Sequence, residues 1–100
     1  MAGSKAYRLH PEAWLDIAGA DEWYRQQSED AAREFVAEVF DGMRRIREAP
    51  PRWPAYLHGT QRFVLDRFPF SIVYLDTPEF VNIVAVAHNK RRPGYWRRRV

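Results

Sequence analysis

Apolar residues recur at helical spacing through the first half of the chain. From Ala32 to Ile46 they are separated by three or four residues, which predicts a helix over residues 29–48 with one continuous apolar stripe. A less regular pattern predicts another helix over residues 11–27, and Ser28 is a suitable N-cap for the helix at residues 29–48. Only a short turn separates the two, so we expect an antiparallel helical hairpin. Its large aromatic side chains are expected to lie in the core: Trp14, Phe35 and Phe40.

Strand patterns replace the helical pattern after Pro50 and Pro51, which end the second helix. A connector rich in proline and aromatic residues extends to residue 60. Three strands are predicted beyond it, at residues 61–67, 70–76 and 80–88, and their short connections favour an antiparallel meander. The last of them is apolar on both faces and belongs in the sheet interior.

The predicted elements combine into one small domain. Residues 5–9 form a further strand that can close one edge of the sheet. The expected fold class is therefore α+β, with an N-terminal helical hairpin packed on a small twisted antiparallel sheet. Its order is β-α-α-β-β-β with a short C-terminal turn or helix, and residues 1–100 form a single domain.

Composition excludes several classes of function. The chain has no cysteine, which excludes disulfides and thiol catalysis and is compatible with a cytoplasmic location. It has neither a signal-peptide pattern nor an apolar run approaching roughly 18 residues, so we expect no membrane association. The three histidines match no metal-ligand spacing, and the scattered glycines form no phosphate loop. We therefore expect neither a metal nor a cofactor.

Positive charge is concentrated at the C-terminal end. Residues 1–60 carry 8 Lys and Arg against 10 Asp and Glu, a net charge of −2, whereas residues 61–100 carry 8 against 3, a net charge of +5. The C-terminal basic segment, residues 88–100, contains six cations and no acid, and Tyr95 and Trp96 lie among them. This composition indicates a surface for a polyanion such as RNA or DNA, or for an acidic protein. A solvated basic tail is the alternative.

The same residue types suit metal-free RNA cleavage, which needs a base, an acid and cations around the phosphate. The candidate catalytic residues are His88, Arg92, Tyr95 and Arg67. The candidate nucleic-acid or target-binding residues are Arg62, Lys90, Arg91, Trp96, Arg97 and Arg98. Structural roles compete with these: His88 as a cap on the last strand, Arg67 as an ion-pair partner of Asp66 or Asp76, and Trp96 as an anchor for the C-terminal turn.

Four sequence phrases, in this order, resemble the RelE/ParE toxin superfamily of type II toxin–antitoxin modules. They are HPEAWLDI at residues 10–17, IREAPPRWP at 46–54, RFVLDRFPFSIVY at 62–74 and VAVAHNKRRPGYWRRR at 84–99. The resemblance implies a small growth-inhibiting toxin of the kind associated with plasmid stabilization. It also implies a cognate antitoxin that wraps and neutralises the toxin and that supplies the DNA-binding part of the complex at the promoter.

The superfamily divides into two mechanisms. RelE-like members cleave mRNA in the ribosomal A site, whereas ParE-like members inhibit DNA gyrase and lack the catalytic residues. Arg92 and Tyr95 resemble C-terminal catalytic positions, and His88 lies near a histidine of some nucleases. Ser71, however, occupies a strand position where nucleases usually carry arginine. The resemblance implies ribosome-dependent mRNA cleavage, with gyrase inhibition as the alternative.

Overall fold

The computed structural model describes residues 5–100, and both predicted helices are confirmed. Helix α1 is Pro11–Gln27 and helix α2 is Glu29–Glu48. Ser28 ends the first helix and begins the second. Its backbone N–H donates to the carbonyl of Tyr24, while its hydroxyl accepts from the N–H of Ala31. A single extended residue can therefore satisfy both helix ends and reverse the chain.

Within residues 5–100, four strands form one sheet in the order β1-β4-β3-β2. They are β1 (Ala6–Leu9), β2 (Gln61–Val64), β3 (Phe70–Asp76) and β4 (Phe80–His88). The antiparallel meander of β2, β3 and β4 is confirmed, and β4 lies in the interior of the sheet. Strand β1 closes the edge as expected, but it runs parallel to β4. The sheet is therefore mixed, because the hairpin and the meander return the chain beside β1 in the direction in which it began.

Strand β2 ends three residues earlier than predicted, at Val64. The carboxylate of Glu38 on α2 accepts the backbone N–H groups of Asp66 and Arg67, at 2.6 and 3.2 Å. These two N–H groups therefore donate to a helix side chain instead of to a neighbouring strand. Arg67 consequently lies in the β2–β3 turn, and its predicted place in a strand is wrong.

The sheet is covered on both faces. The helical hairpin covers one face, where Phe35, Ile72 and Tyr74 are completely buried. The opposite face carries a smaller cluster of Val73, Val84, Ala85 and Trp96. Strand β4 contributes to both clusters, which explains why it is apolar on both faces. This second cluster lies beneath the C-terminal basic segment.

Aromatic side chains behave differently in the two helices. Phe35 is fully buried and packs against Phe70 of β3, with ring centroids 5.0 Å apart, as its place in the apolar stripe predicted. Trp14 was also expected in the core, but it is 50% exposed. The buried face of α1 is made by the small or branched residues Ala13, Ile17 and Ala20. Trp14 lies beside that face, over the partly buried Phe40. Neither helix within residues 5–100 is long and apolar enough to cross a membrane.

Two helical glycines provide a matched test of the hairpin packing. A Cβ atom on Gly42 of α2 would lie 2.8 Å from Cδ1 of Ile72 and 3.1 Å from Cε1 of Phe63, whereas one on Gly19 of α1 would meet nothing within 4 Å. We expect Gly42→Ala to destabilise the protein by about 0.5–2 kcal/mol, because overpacking outweighs the gain in helix propensity. Gly19→Ala should stabilise it by up to about 1 kcal/mol. Urea unfolding of both variants measures the difference. Equal changes in the free energy of unfolding would contradict the close packing at Gly42.

Alkaline titration provides a test of the buried Tyr74 hydroxyl. It donates to the carbonyl oxygen of Pro50 at 2.5 Å and accepts from Nε2 of Gln61 at 3.1 Å. Burial, with the charge of Asp76, raises the pKa of Tyr74 to about 12. The folded state therefore keeps this proton up to higher pH, whereas the unfolded chain loses it near pH 10. The contribution of Tyr74 to the free energy of unfolding is thus complete below pH 10 and declines between pH 10 and 12.

The free energy of unfolding should fall by about 1–2 kcal/mol more in the wild type than in Tyr74→Phe over that interval. Urea unfolding at several values between pH 9 and 12 measures both proteins. The variant serves as the reference because it shares every other titrating group. Parallel declines in the two proteins would rule out a raised pKa for Tyr74.

Candidate functional site: a basic cleft on the second face of the sheet

The C-terminal basic segment folds back over the sheet through a series of turns. The N–H of Asn89 donates to the carbonyl of Pro69, and that of Arg91 to the carbonyl of His88. Gly94 has a φ of 81°, a conformation that favours glycine, and it allows the chain to turn before Tyr95. The segment then ends in a 3-10 turn, Arg97–Arg99. Residues 88–100 therefore form an ordered part of the fold rather than a solvated tail.

Trp96 anchors this segment in the cluster on the second face. Its side chain is 1% exposed and packs with Val73, Val84 and Ala85. The Tyr56 ring from the connector approaches it at a centroid distance of 6.1 Å. Such burial leaves no ring face for a base, so Trp96 has the structural role that competed with target binding in the sequence.

A cleft opens beside this anchor, and we call it the basic cleft. The residues that line it include Arg62, Ser71, His88, Arg91, Arg92 and Tyr95. They come from β2, β3, the end of β4 and the C-terminal basic segment. Within the described chain, none of the residues lining the basic cleft is acidic. The tertiary structure thus brings together six of the predicted site residues, one of which is the buried anchor Trp96, with Ser71 as a further polar group.

Two arginines of the cleft are held against aromatic rings. The guanidinium carbon of Arg62 lies 4.3 Å from the ring centroid of Tyr56, and that of Arg91 lies 3.8 Å from the ring centroid of Tyr95. Both distances allow cation–π attraction, which orients a guanidinium without neutralising it. Each arginine therefore keeps its charge and its hydrogen-bond donors available to a ligand.

The candidate binding cations differ from three arginines of the helices in having no acidic partner in the described part of the chain. On α1 and α2, Arg25, Arg33 and Arg44 each form ion pairs with acidic residues three or four positions away. Among residues 5–100, no carboxylate of Asp or Glu lies within 4.0 Å of the cationic groups of Arg62, Lys90, Arg91, Arg92, Arg97 or Arg98. The surface around the cleft therefore carries uncompensated positive charge, which attracts an anionic or acidic partner.

The histidine and serine of the cleft already have intramolecular partners. Nδ1 of His88 accepts the N–H of Lys90 at 3.1 Å, and its ring packs edge-on against Phe70 with centroids 5.0 Å apart. The Ser71 hydroxyl is buried and donates to Oδ1 of Asn89 at 2.6 Å. His88 thus has the capping role that its position at the end of β4 suggested, with Nε2 as the nitrogen available to a ligand.

Tyr95 lies beside a buried carboxylate. Its hydroxyl donates to Oδ2 of Asp16 at 3.4 Å. Burial, followed by the charge of Asp16, raises the pKa of Tyr95, and the neighbouring Arg91 and Arg99 oppose this only in part. The phenol therefore keeps its proton at neutral pH and beyond, which makes it a weak acid for proton transfer.

Arg67 lies away from the cleft. Its Nε is 3.5 Å from Oε1 of Glu38, and its Nη1 is 3.8 Å from Oε1 of Glu34, both on α2. These partners differ from the Asp66 and Asp76 that the sequence suggested. The following residues Phe68 and Phe70 pack against the hairpin aromatics Tyr24 and Phe35, so this part of the chain has a packing role. Arg67 therefore does not join the other candidate catalytic residues.

Sequence reasoning missed the pair formed by Asp16 and Arg99. Both side chains are 9% exposed, and Nη1 of Arg99 lies 2.7 Å from Oδ2 of Asp16. Burial opposes the charge of Arg99, but hydrogen bonding and the charge of Asp16 outweigh it and raise the pKa of Arg99. In the sequence, Arg99 is one of three consecutive arginines and Asp16 is an ordinary helix acid, so neither carried a distinguishing signal.

No group of three or more His, Asp or Glu side chains in the described part of the chain is arranged to hold a metal ion. The available chemistry is that of guanidinium groups, an imidazole and aromatic rings on a positively charged surface. Such a surface binds anions and acidic proteins.

Comparisons with known proteins identify the family and the fold of this chain. The sequence matches the family of the ParE toxin of the type II toxin–antitoxin system parDE over residues 7–93. Among solved structures, the fold is similar to a chain of a chromosomal ParDE toxin–antitoxin system from P. aeruginosa. That match has a TM-score of 0.75 at 13% sequence identity and covers 85% of this chain and 96% of the other. A comparison with curated proteins finds no match.

The fold and the sequence match together define a toxin of a type II toxin–antitoxin system. Within the RelE/ParE superfamily, the chain belongs to the ParE toxin family. The superfamily resemblance is therefore confirmed, and a cognate antitoxin is the implied partner.

Proposed function

We propose that this toxin inhibits DNA gyrase by binding to it, without cleaving RNA. The observation that carries the proposal is the ParE family match over residues 7–93, because ParE-like members of the superfamily are the ones associated with gyrase. The proposal replaces the order of preference that the sequence suggested, in which mRNA cleavage came first. It requires the protein to act in the cytoplasm, where the chromosome is.

The basic cleft supports this proposal through its charge and its rigidity. Arg62 and Arg91 are held on aromatic rings, and arginine and tyrosine are residue types that dominate the binding energy of many protein interfaces. The phosphates of gyrase-bound DNA are anions that such a surface would attract. Binding there would stabilise gyrase in a DNA-cleaved state and block strand passage. The toxin would then act stoichiometrically, by binding each gyrase molecule, rather than catalytically.

Three features weaken the case for mRNA cleavage. Tyr95 is directed towards Asp16, and its pKa is raised by burial. Arg67 is paired with glutamates of α2, and Ser71 occupies the strand position where nucleases usually carry arginine. An oxyanion at the cleft would thus lack both a suitable acid and part of the expected cation set.

RNA cleavage remains the second candidate because of one observation. Arg62, His88 and Arg92 converge on the same cleft, and Nε2 of His88 is available for proton transfer. This arrangement could still bind a phosphodiester and move one proton. The experiment below therefore includes the ribosome as a separate target.

The antitoxin is proposed to neutralise the toxin by covering the basic cleft. The uncompensated cations favour an acidic segment of the antitoxin at this surface. Contact with promoter DNA would then be indirect and would depend on the antitoxin, since the toxin surface that attracts phosphate is occupied in the complex.

The purified toxin should be tested on both targets. With relaxed plasmid, gyrase and ATP, we expect lost supercoiling and accumulation of linear DNA after detergent and protease treatment, saturating near one toxin per gyrase subunit. In parallel, primer extension on mRNA in a translation reaction should reveal no toxin-dependent cuts. Antitoxin added in equal amount should abolish the gyrase effect.

Unchanged supercoiling at excess toxin, with growth inhibition intact in cells, would exclude the gyrase proposal. In-frame mRNA cuts that require the ribosome would instead establish the second candidate. Charge screening provides a further check, because inhibition through this surface should weaken as salt is raised.

A further inference from the structure

The edge of β4 is completed by side chains where β1 ends. Strand β1 pairs with β4 only as far as Ile83. A register shift then pairs Val73 with Ala85 and Tyr74 with Ile83, so that Val84 has no register partner on β3. Nη1 of Arg99 donates to the carbonyl of Val84 at 3.2 Å, and the N–H of Val86 donates to Oδ2 of Asp16 at 3.1 Å. The two side chains thus satisfy backbone groups that no strand covers.

The same two side chains are joined to each other. Nη1 and Nη2 of Arg99 donate to Oδ2 and Oδ1 of Asp16, at 2.7 and 3.3 Å. A two-pronged contact of this kind fixes both the distance and the plane of the guanidinium. The pair connects α1 to the last turn of the chain, across 83 positions in sequence.

The contact continues from Arg99 to the basic cleft. The guanidinium carbon of Arg99 lies 5.3 Å from the ring centroid of Tyr95, whose hydroxyl also contacts Asp16. The Arg91 guanidinium packs on the same ring at 3.8 Å. Asp16, Arg99, Tyr95 and Arg91 therefore form a continuous series of contacts that ends at the cleft.

We infer that Asp16 and Arg99 are positioning residues that hold Tyr95 and, through it, Arg91 in the geometry that the toxin uses against its target. Trp96 keeps the middle of the segment attached, while the pair fixes its end and the orientation of the tyrosine ring. A buried ion pair often adds little net stability compared with apolar side chains of similar size, so positional accuracy is the property that distinguishes it here. The inference rests on the proposed function only in that the positioned surface is the one that meets the target.

Arg99→Met and Asp16→Asn test the pair with little change in volume. The methionine keeps an apolar stem and removes the guanidinium, whereas the asparagine keeps an acceptor for Val86 and removes the charge. We expect amide hydrogen exchange of residues 95–100 to accelerate by about tenfold or more in either variant, because local opening no longer breaks the two-pronged contact between Arg99 and the Asp16 carboxylate. Growth inhibition should fall by about tenfold while the circular dichroism of the sheet and helices is retained.

Three further variants separate positioning from general stability. Arg98→Ala, in the same basic run, should leave the exchange of residues 95–97 unchanged, since the Arg98 guanidinium has no carboxylate of Asp or Glu within 4.0 Å in the described chain. Arg99→Lys should retain part of the toxicity that Arg99→Met loses, because lysine keeps the positive charge but not the paired guanidinium donors. The double variant Asp16→Asn/Arg99→Met should be no worse than Arg99→Met alone, since that single variant already lacks the contact between the two side chains.

Unchanged exchange in Arg99→Met and Asp16→Asn would overturn the inference. So would accelerated exchange with full toxicity, since the pair would then hold the segment without positioning a functional surface. These readouts do not require gyrase to be the target. Failure of the gyrase proposal would appear in the wild-type supercoiling assay, whereas failure of this inference would appear only in the variants.

Discussion

Replacing Arg91 and Arg92 together by glutamine is expected to abolish growth inhibition by this toxin while leaving its fold intact. Both arginines line the basic cleft and are exposed, and neither has an acidic partner within residues 5–100. Arginines that act as interface hot spots contribute about 2 kcal/mol each, so the pair should lower potency against gyrase by about 1,000-fold. Growth after induction and the supercoiling assay measure the effect.

A matched variant on the helices controls for charge. Arg25→Gln/Arg33→Gln removes the same two charges from exposed positions of α1 and α2, where each arginine is ion-paired. Those pairs contribute only about 0.3–0.5 kcal/mol each, so this variant should keep full toxicity. If both double variants lost toxicity equally, net charge rather than the cleft would be responsible. Full toxicity of Arg91→Gln/Arg92→Gln would show that the target binds elsewhere.

Trp96→Ala is expected to produce the largest loss of stability among single substitutions in the C-terminal basic segment. The indole is 1% exposed, and it is the largest fully buried side chain of the described residues. Removing it deletes most of the contact between the segment and the second face of the sheet. The expected cost is about 3–5 kcal/mol, which for a domain of this size lowers the melting temperature by about 15–30 °C.

Trp14→Ala provides the comparison, because Trp14 is the same residue type but 50% exposed. Its loss should cost about 1 kcal/mol or less, in proportion to the smaller area that it buries. Thermal unfolding and urea titration compare the two variants directly. A similar cost at both positions would mean that Trp96 is not the anchor described here. Since small domains have only about 5–15 kcal/mol of stability, Trp96→Ala should also lose toxicity at 37 °C through partial unfolding.

Much of the fold could be predicted because its signals are local. The three- and four-residue spacing along α2, the cap at Ser28 and the stop at Pro50 depend on neighbours within one or two helical turns. The meander likewise follows from short connections between apolar strands. The limits of β2 could not be read in this way, since Glu38 ends the strand from 28 positions away in the sequence.

The site was predicted less completely for the same reason. The C-terminal basic segment is evident from composition, and the cleft brings Arg62, His88, Arg91, Arg92 and Tyr95 together as expected. Arg67 shares their chemistry but faces glutamates of α2. Which cations would remain unpaired depends on where the helix acids lie after folding, and residue spacing contains no such information.

By itself, the sequence determined the helical hairpin, the three-strand meander and the concentration of positive charge after β4, because spacing and composition act over a few residues. Only the tertiary structure decided that β1 runs parallel to β4, that Trp96 is buried while Trp14 is half exposed, and that Arg99 is a partner of Asp16 rather than a surface cation. A residue's spacing sets the face of its own element on which it lies. What covers that face is set by long-range packing. Such packing gives different roles to Trp96, to Arg99 and to the unpaired arginines of the C-terminal basic segment, which look alike in sequence.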